Sequence, residues 1–147
     1  MARNALAIET LSKDSFAPFG AVVDWTDDLE AAGAGFHVLV RSEAPTGWRL
    51  AVLKVTARQA QGMANHPDTM ELFAPMNGRA VLLVAKSGPF AEEGIHAFLL
   101  DRPAMVAPGV WHATVALSDA ATVLIAENLD VTSESASLSQ PIGAALA

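Results

Sequence analysis

The 147-residue chain contains no cysteine. This absence excludes disulfide bonds, thiol nucleophiles and cysteine-ligated metal sites together. Any metal ion in this protein must therefore be held by His, Asp or Glu side chains. A chain without cysteine is also compatible with the reducing cytoplasm, which is the location that we expect.

Clusters of basic residues and long hydrophobic runs are missing as well. Nine Lys and Arg against sixteen Asp and Glu give a formal net charge of −7, and the basic residues never form a patch that would match a nucleic-acid backbone. The longest purely apolar run, Ala80 to Ala85, is too short to span a bilayer, and Glu9 interrupts the N-terminus before a secretory signal forms. We expect neither nucleic acid nor membrane as a partner, and no secretion.

Short apolar segments punctuated by Pro and Gly run through the chain. Many short strands of this kind predict a β-sandwich or β-barrel, and the length predicts a single domain. The clearest strand segments are Arg79 to Ala85, Ile95 to Leu100, Ala104 to Ala107, Trp111 to Leu117 and Thr122 to Glu127.

Two further segments have less regular patterns. Trp48 to Thr56 has apolar residues at both odd and even positions, which predicts a strand that is buried on much of both faces. From Thr132 onward, Ser alternates with small residues. This composition predicts a weakly folded tail, or else a helix or arm that packs on a partner.

Three metal-competent side chains lie at predicted strand ends. His66 and Glu71 are separated by four residues, and Pro67 keeps the segment out of a helix, so both side chains can point inward from successive extended runs. Imidazole with carboxylate suits Mn, Fe, Co, Ni or Zn, and a second imidazole would leave open positions for a substrate. His112 is the predicted third ligand.

Each of these side chains also has an ordinary structural interpretation. His66 can satisfy the backbone of a turn, Glu71 can be an exposed strand residue beside a basic side chain, and His112 can be a half-buried, hydrogen-bonded imidazole. Trp111 is more often a core residue than a substrate platform. The spacing from His66 through Glu71 to Gly78 is what favours a site.

That spacing resembles a known motif. His66, Glu71 and Gly78 are placed as in the latter half of the first cupin motif, and Gly109 and His112 resemble the core of the second. The resemblance implies an all-β fold, the cupin double-stranded β-helix or jelly-roll barrel, with one or two short helices. We expect this domain to span residues 1–131, with a C-terminal tail over residues 132–147.

Further segments resemble the ureidoglycolate lyase family, also called ureidoglycolate hydrolase, within the RmlC-like cupins. Phe16 to Gly20 resembles its N-terminal signature, His66-Pro67 with Phe73 to Met76 its central one, and Val110 to His112 its second histidine block. Members release glyoxylate and urea from ureidoglycolate in allantoin degradation, a branch of purine catabolism. The resemblance thus implies a carbon–nitrogen lyase.

The resemblance also implies roles for individual residues. His66, Glu71 and His112 are the expected metal ligands, for Mn, Fe, Ni or Zn without an organic cofactor, and the expected catalytic residues. Without a metal, Glu71 or a histidine would act as the base directly. The candidates for binding the substrate, most of them cations that suit its carboxylate, are Arg49, Lys54, Arg79 and Trp111. The high apolar content and the fold imply a homodimer.

Five positions depart from the family pattern. Ala64 and Asn65 stand where the family usually has Glu-Arg, Ala107 and Ala113 stand where it commonly has histidines, and Glu71 stands where it often has Gln. Two alternatives therefore remain open. One is another metal-dependent cupin enzyme that acts on a small oxygenated acid, and the other is a non-catalytic cupin that only binds a small ligand.

Overall fold

A computed structural model of the chain describes residues 5–25, 28–34, 36–43 and 46–146, with the side chains of residues 36 and 37 excepted. These residues form thirteen strands, a one-turn helix α1 (Lys13–Phe16) and a 3₁₀ helix (Glu92–Gly94). The strands are β1 (Ala5–Glu9), β2 (Gly20–Val22), β3 (Glu30–Gly33), β4 (Phe36–Val38), β5 (Trp48–Val55), β6 (Gln59–Asn65), β7 (Glu71–Asn77), β8 (Ala80–Ala85), β9 (His96–Leu99), β10 (Ala104–Val106), β11 (Trp111–Ala116), β12 (Ala121–Asn128) and β13 (Glu134–Ala145). Neither helix is long and apolar enough to cross a membrane.

The strands form a closed barrel and a second sheet. The barrel has the order β1-β13-β6-β11-β8-β9, and the second sheet has the order β2-β10-β7-β12-β5. Strands β3 and β4 make a separate two-stranded ribbon. The prediction of an all-β cupin barrel with one or two short helices is therefore confirmed.

Strand β8 is the most buried element, and its residues supply two hydrophobic clusters. All six of its residues are buried, and alternate side chains face opposite sides of the sheet. Leu82 and Val84 belong to the cluster that also contains Phe73 and Phe98, whereas Leu83 belongs to the other. Each such large apolar side chain contributes about 1.5–3 kcal/mol through burial. The continuous apolar run in the sequence is thus explained by a strand covered on both faces.

Strand β5 differs from its prediction. We expected it to be buried on both faces, but seven of its eight residues are exposed, including Trp48 (71%), Leu50 (58%) and Val52 (60%). Strand β5 lies at the edge of the second sheet. Among the described residues it pairs with β12 alone, so one of its edges has no neighbouring strand. An apolar sequence therefore produced an uncovered sheet face here.

The C-terminal segment also differs from its prediction as a weakly folded tail, helix or arm. Strand β13 is antiparallel to β6 and parallel to β1, and it is therefore one of the strands of the closed barrel. Ile142 is buried, and the serines at 135, 137 and 139 alternate with partly buried Ala136 and Leu138. Alternation with a period of two is the pattern of a half-covered strand.

Candidate metal centre

His66, Glu71 and His112 meet in the folded chain. His66 follows β6, Glu71 begins β7 and His112 is the second residue of β11. The Oε2 atom of Glu71 lies 3.1 Å from Nε2 of His66 and 2.9 Å from Nε2 of His112. The three side chains are only 10–12% exposed, so the cluster is largely screened from water.

A turn before β11 joins the two halves of the site. Gly109 has a φ of 79°, a left-handed conformation that strains residues with a Cβ atom, and a Cβ added there would lie 3.1 Å from Cβ of Ser87. In this conformation the Gly109 N–H donates to the His66 carbonyl at 2.8 Å. The backbone hydrogen bond fixes the segment after β6 against the segment that carries His112.

Backbone acceptors orient both imidazole rings. The Nδ1 of His112 is 3.1 Å from the Val110 carbonyl, and the Nδ1 of His66 is 3.2 Å from the Thr132 carbonyl and 3.0 Å from Oγ of Ser133. A carbonyl only accepts, so each ring in its neutral form places its proton on Nδ1. In that form each Nε2 directs a lone pair toward Glu71, as metal-binding histidines do.

The contacts of Glu71 fit a cation. Its Oε2 is buried and receives no well-directed hydrogen bond, although two ring nitrogens lie at hydrogen-bond distance. Two ligand atoms about 2.1 Å from one ion lie about 3 Å apart when they are at right angles around it. The observed 2.9 and 3.1 Å separations are close to this value, and they are also ordinary distances for an imidazole–carboxylate ion pair. Two ring nitrogens and a carboxylate oxygen therefore form a candidate metal-ligand set, in which all ligand atoms lie within 4.8 Å of one another.

The electrostatics keep Glu71 ionised at neutral pH. Burial raises the pKa of its carboxyl group, but the hydrogen-bonding contact with His112, the positive charges that His112 and His66 carry when protonated, and the contact with Glu127 together lower it more. The resulting pKa lies below the ordinary value of 4.5. The cluster therefore contains an anionic oxygen under physiological conditions.

A second carboxylate, Glu127 on β12, lies beside the cluster and was not predicted as a site residue. It is the register partner of Glu71, its side chain is 8% exposed, and its Oε2 lies 3.9 Å from Nε2 of His66. The alternation along β12 could have indicated it. Ala121, Val123 and Ile125 are apolar and are buried at alternate positions, and the same period of two puts Glu127 on the core face.

Of the predicted substrate-binding cations, only Arg49 reaches this region. Its Nε and Nη2 donate to Oε1 of Glu127 at 3.0 and 2.6 Å. Lys54 is five residues further along β5, about 16 Å at strand spacing, and its odd separation from Arg49 puts it on the outer face of the sheet. The structure does not bring Lys54 to the cluster.

Arg79 and Trp111 also lie elsewhere. The backbone of Arg79 forms hydrogen bonds with the Leu117 N–H and with Oγ of Ser118. These residues follow the C-terminal end of β11, whereas His112 lies near its N-terminal end. Trp111 is the neighbour of His112 and therefore faces the other side of β11, where it belongs to the second hydrophobic cluster and donates from Nε1 to the Gly88 carbonyl at 3.0 Å. Its position is that of a core residue.

A surface groove leads to His112. The register partner of His112 on β6 is Ala64, whose own partner on β13 is Ser135. Most of the residues that line the groove beside His112 are small or carry a hydroxyl group, among them Gly62, Ala64, Ser135 and Ser137. Of the three cluster residues, His112 is the one that lines this groove.

Comparison with known sequences identifies the family. A sequence model described as ureidoglycolate lyase matches residues 3–140. The chain belongs to the ureidoglycolate lyase family. Curated relatives named ureidoglycolate lyase, from Brucella melitensis biotypes 1 and 2, are each 30% identical over 125 residues, covering 73% of this chain and 72% of the relative.

Solved structures give weaker likenesses. A dTDP sugar isomerase from Desulfovibrio desulfuricans is 18% identical, covers 71% of this chain and 74% of its own, and has a TM-score of 0.45. RmlC from Streptococcus suis is 15% identical, with 80% and 54% covered and a TM-score of 0.45. With TM-scores below 0.5, neither bears on the function of this ureidoglycolate lyase family member.

Besides Glu71, four positions depart from the pattern of the ureidoglycolate lyase family, and the structure locates each of them. Ala64 is on the same face as His112, so a longer side chain there would enter the groove, and Asn65 is buried on the opposite face. Ala113 lines the groove. Ala107 packs against the first hydrophobic cluster and accepts a hydrogen bond from the Val110 N–H. Ala64 and Ala113 therefore leave space in the groove beside His112, whereas Ala107 lies against the hydrophobic core.

Proposed function

We propose that this protein is a ureidoglycolate lyase that cleaves ureidoglycolate to glyoxylate and urea. The observation that carries the proposal is the convergence of Glu71 Oε2 with Nε2 of His66 and His112, in a chain of this family. The same activity is the printed name of the Brucella melitensis relatives. A role in allantoin and purine catabolism, in the cytoplasm, follows from this activity and stays a prediction.

The reaction makes defined demands on the site. The substrate carries a hydroxyl group, a carboxylate and a ureido nitrogen on one carbon. The hydroxyl loses its proton and becomes the aldehyde carbonyl of glyoxylate, while the carbon–nitrogen bond breaks and the leaving nitrogen takes up a proton to form urea. The site must therefore stabilise an alkoxide, bind a carboxylate and move one proton between two substrate atoms.

His66, Glu71 and His112 are the residues that would hold a divalent cation such as Mn, Fe, Ni or Zn. When bound, such a cation supplies Lewis acidity that lowers the pKa of the substrate hydroxyl group. The Val110 and Thr132 carbonyls keep both rings in the tautomer that this role needs. The low exposure of the three side chains excludes water, which strengthens every charge interaction in the site.

The deciding experiment measures glyoxylate release from racemic ureidoglycolate above the spontaneous rate. We expect that EDTA removes the activity and that a divalent metal restores it. Metal analysis of the purified protein should detect a bound divalent metal. Activity that EDTA does not affect would keep the reaction but give Glu71 or one of the two histidines the role of direct proton acceptor. No release under either condition would contradict the proposal and favour another small oxygenated acid, or binding without turnover.

We also propose that two copies associate through the outer face of β5. Trp48, Leu50 and Val52 project there as an exposed apolar stripe, and water-exposed stripes of this kind mark association surfaces. Leu50→Lys should convert a dimer into a monomer in sedimentation equilibrium. The matched variant Leu146→Lys, at a residue that is 73% exposed elsewhere, should leave the dimer intact. A wild-type monomer would contradict this arrangement.

A further inference from the structure

Arg49, Glu127 and Glu71 form a row across three neighbouring strands. Arg49 on β5 is the register partner of Glu127 on β12, which is the register partner of Glu71 on β7. Register partners have their side chains on the same face of a sheet. The row therefore leads from the edge of the second sheet to the metal-ligand set.

The two members of the ion pair differ in exposure. The Glu127 side chain is 8% exposed, whereas that of Arg49 is 47% exposed. Both hydrogen bonds from Arg49 go to one oxygen, Oε1, and a guanidinium group has five N–H donors. Arg49 makes no other hydrogen bond to the described residues. Its remaining donors are thus free to bind an oxyanion at the solvent side of the site.

The charges of the row explain why an anion fits. Glu71 and Glu127 contribute two negative charges, Arg49 contributes one positive charge, and imidazoles that bind a cation through Nε2 are neutral and contribute none. A divalent cation among His66, Glu71 and His112 would make the sum +1. Such a site attracts a small monocarboxylate, and the Arg49 fork can hold it through two parallel hydrogen bonds.

We infer that Arg49 is the residue that selects substrates with a carboxylate next to a hydroxyl group, and that Glu127 is a positioning residue that holds Arg49 in place. The inference rests on the proposed function, because it is that function which places the hydroxyl group of the substrate at His66, Glu71 and His112. The ligand class is small 2-hydroxy monocarboxylates. Neutral molecules of the same shape lack the charge that Arg49 recognises.

Calorimetric titration of the metal-loaded protein with glycolate tests the inference without turnover. Arg49→Gln should weaken glycolate binding about 10- to 100-fold, the value of one hydrogen bond between charged groups. Glycolamide, the neutral isostere, should bind weakly and equally to both proteins. Wild-type affinity for glycolate in Arg49→Gln would overturn the inference.

Glu127 is tested by coupling to Arg49. If Glu127 acts through Arg49, Glu127→Gln weakens glycolate binding, and the double variant is no weaker than Arg49→Gln alone. If Glu127 only adds negative charge, Glu127→Gln tightens glycolate binding, and the positioning role is wrong. The matched controls are Arg58→Gln and Asp119→Asn, from an exposed ion pair away from the site, and both should bind glycolate as the wild type does.

The two proposals fail in distinguishable ways. Saturable glycolate binding that depends on Arg49, with no glyoxylate release from ureidoglycolate, would leave this inference standing and reject the lyase activity. Turnover of ureidoglycolate with an unchanged KM in Arg49→Gln would reject the inference and leave the lyase activity standing.

Discussion

Glu71→Gln should lower kcat/KM for glyoxylate release at least about 100-fold, the lower range of what one acid–base or metal-binding group contributes. The physical reason is that Oε2 of Glu71 is the single oxygen faced by both Nε2 atoms. A glutamine has nearly the same shape but carries no negative charge, and its amide N–H₂ repels a cation. Metal content and steady-state kinetics measure the two consequences separately.

The control for this substitution is Glu93→Gln, because Glu93 is an exposed carboxylate in the 3₁₀ helix. It makes the same chemical change and should leave both the metal content and kcat/KM unchanged. Circular dichroism checks that Glu71→Gln is folded. A folded Glu71→Gln variant with wild-type turnover would show that the cluster is structural, and His66 and His112 would lose their assigned roles with it.

Phe98→Ala should lower the free energy of unfolding by about 3–5 kcal/mol, the cost of removing a buried aromatic ring and leaving a cavity. Phe98 is fully buried and packs edge-on against Phe16 at 5.3 Å and against Phe19 at 5.7 Å between ring centroids. These two rings belong to the segment of α1 and the turn after it. The truncation therefore removes the aromatic packing between β9 and the segment that joins β1 to β2.

Urea unfolding followed by circular dichroism measures this loss. Val52→Ala is the comparison, since Val52 is 60% exposed on β5 and should change the free energy of unfolding by less than about 0.5 kcal/mol in a monomeric sample. For a domain of this size, the Phe98 variant should melt about 6–20 °C lower. A loss below about 1 kcal/mol would mean that the three phenylalanine rings are not a single packed unit.

The charge arrangement connects the stability of the site with its chemistry. Two buried carboxylates lie on adjacent strands, and buried charges are costly unless they are paired. Arg49 compensates Glu127, whereas Glu71 has only the two imidazoles. A cation at Glu71 completes the compensation, so we expect metal loading to stabilise the folded protein as well as to activate it.

Much of the fold and three residues of the site could be predicted from the sequence. The unbroken apolar run of β8 requires a strand covered on both faces, and the all-β class follows from many short segments of this kind. The absence of cysteine left only His and carboxylate donors, and the spacing of His66, Glu71 and His112 then indicated which ones. The all-β fold is confirmed and the three side chains do meet in the folded chain, whereas their role as metal ligands stays a prediction.

The exposure of β5 and the strand conformation of the C-terminal segment both depend on how the strands are arranged in their sheets. The pattern of β5 indicates an apolar strand, but whether another strand or a partner covers it depends on where the strand lies in its sheet. The Ser-rich alternation of β13 looked too polar to fold by itself. It forms a strand because β1 and β6 supply its hydrogen bonds. Thr132, just before this strand, places its carbonyl beside Nδ1 of His66.

The composition and local patterns of the chain indicated an all-β fold and the three side chains of the candidate metal centre. Which other charges lie beside these side chains depends on the pairing of distant strands. Glu127 and Arg49 are 78 residues apart in the sequence, and strand register makes them partners, while period-two alternation turns Lys54 and Trp111 to the opposite faces of their strands. Register is set by pairing between distant segments, and a shift of one residue reverses every side chain, so no local pattern contains this information.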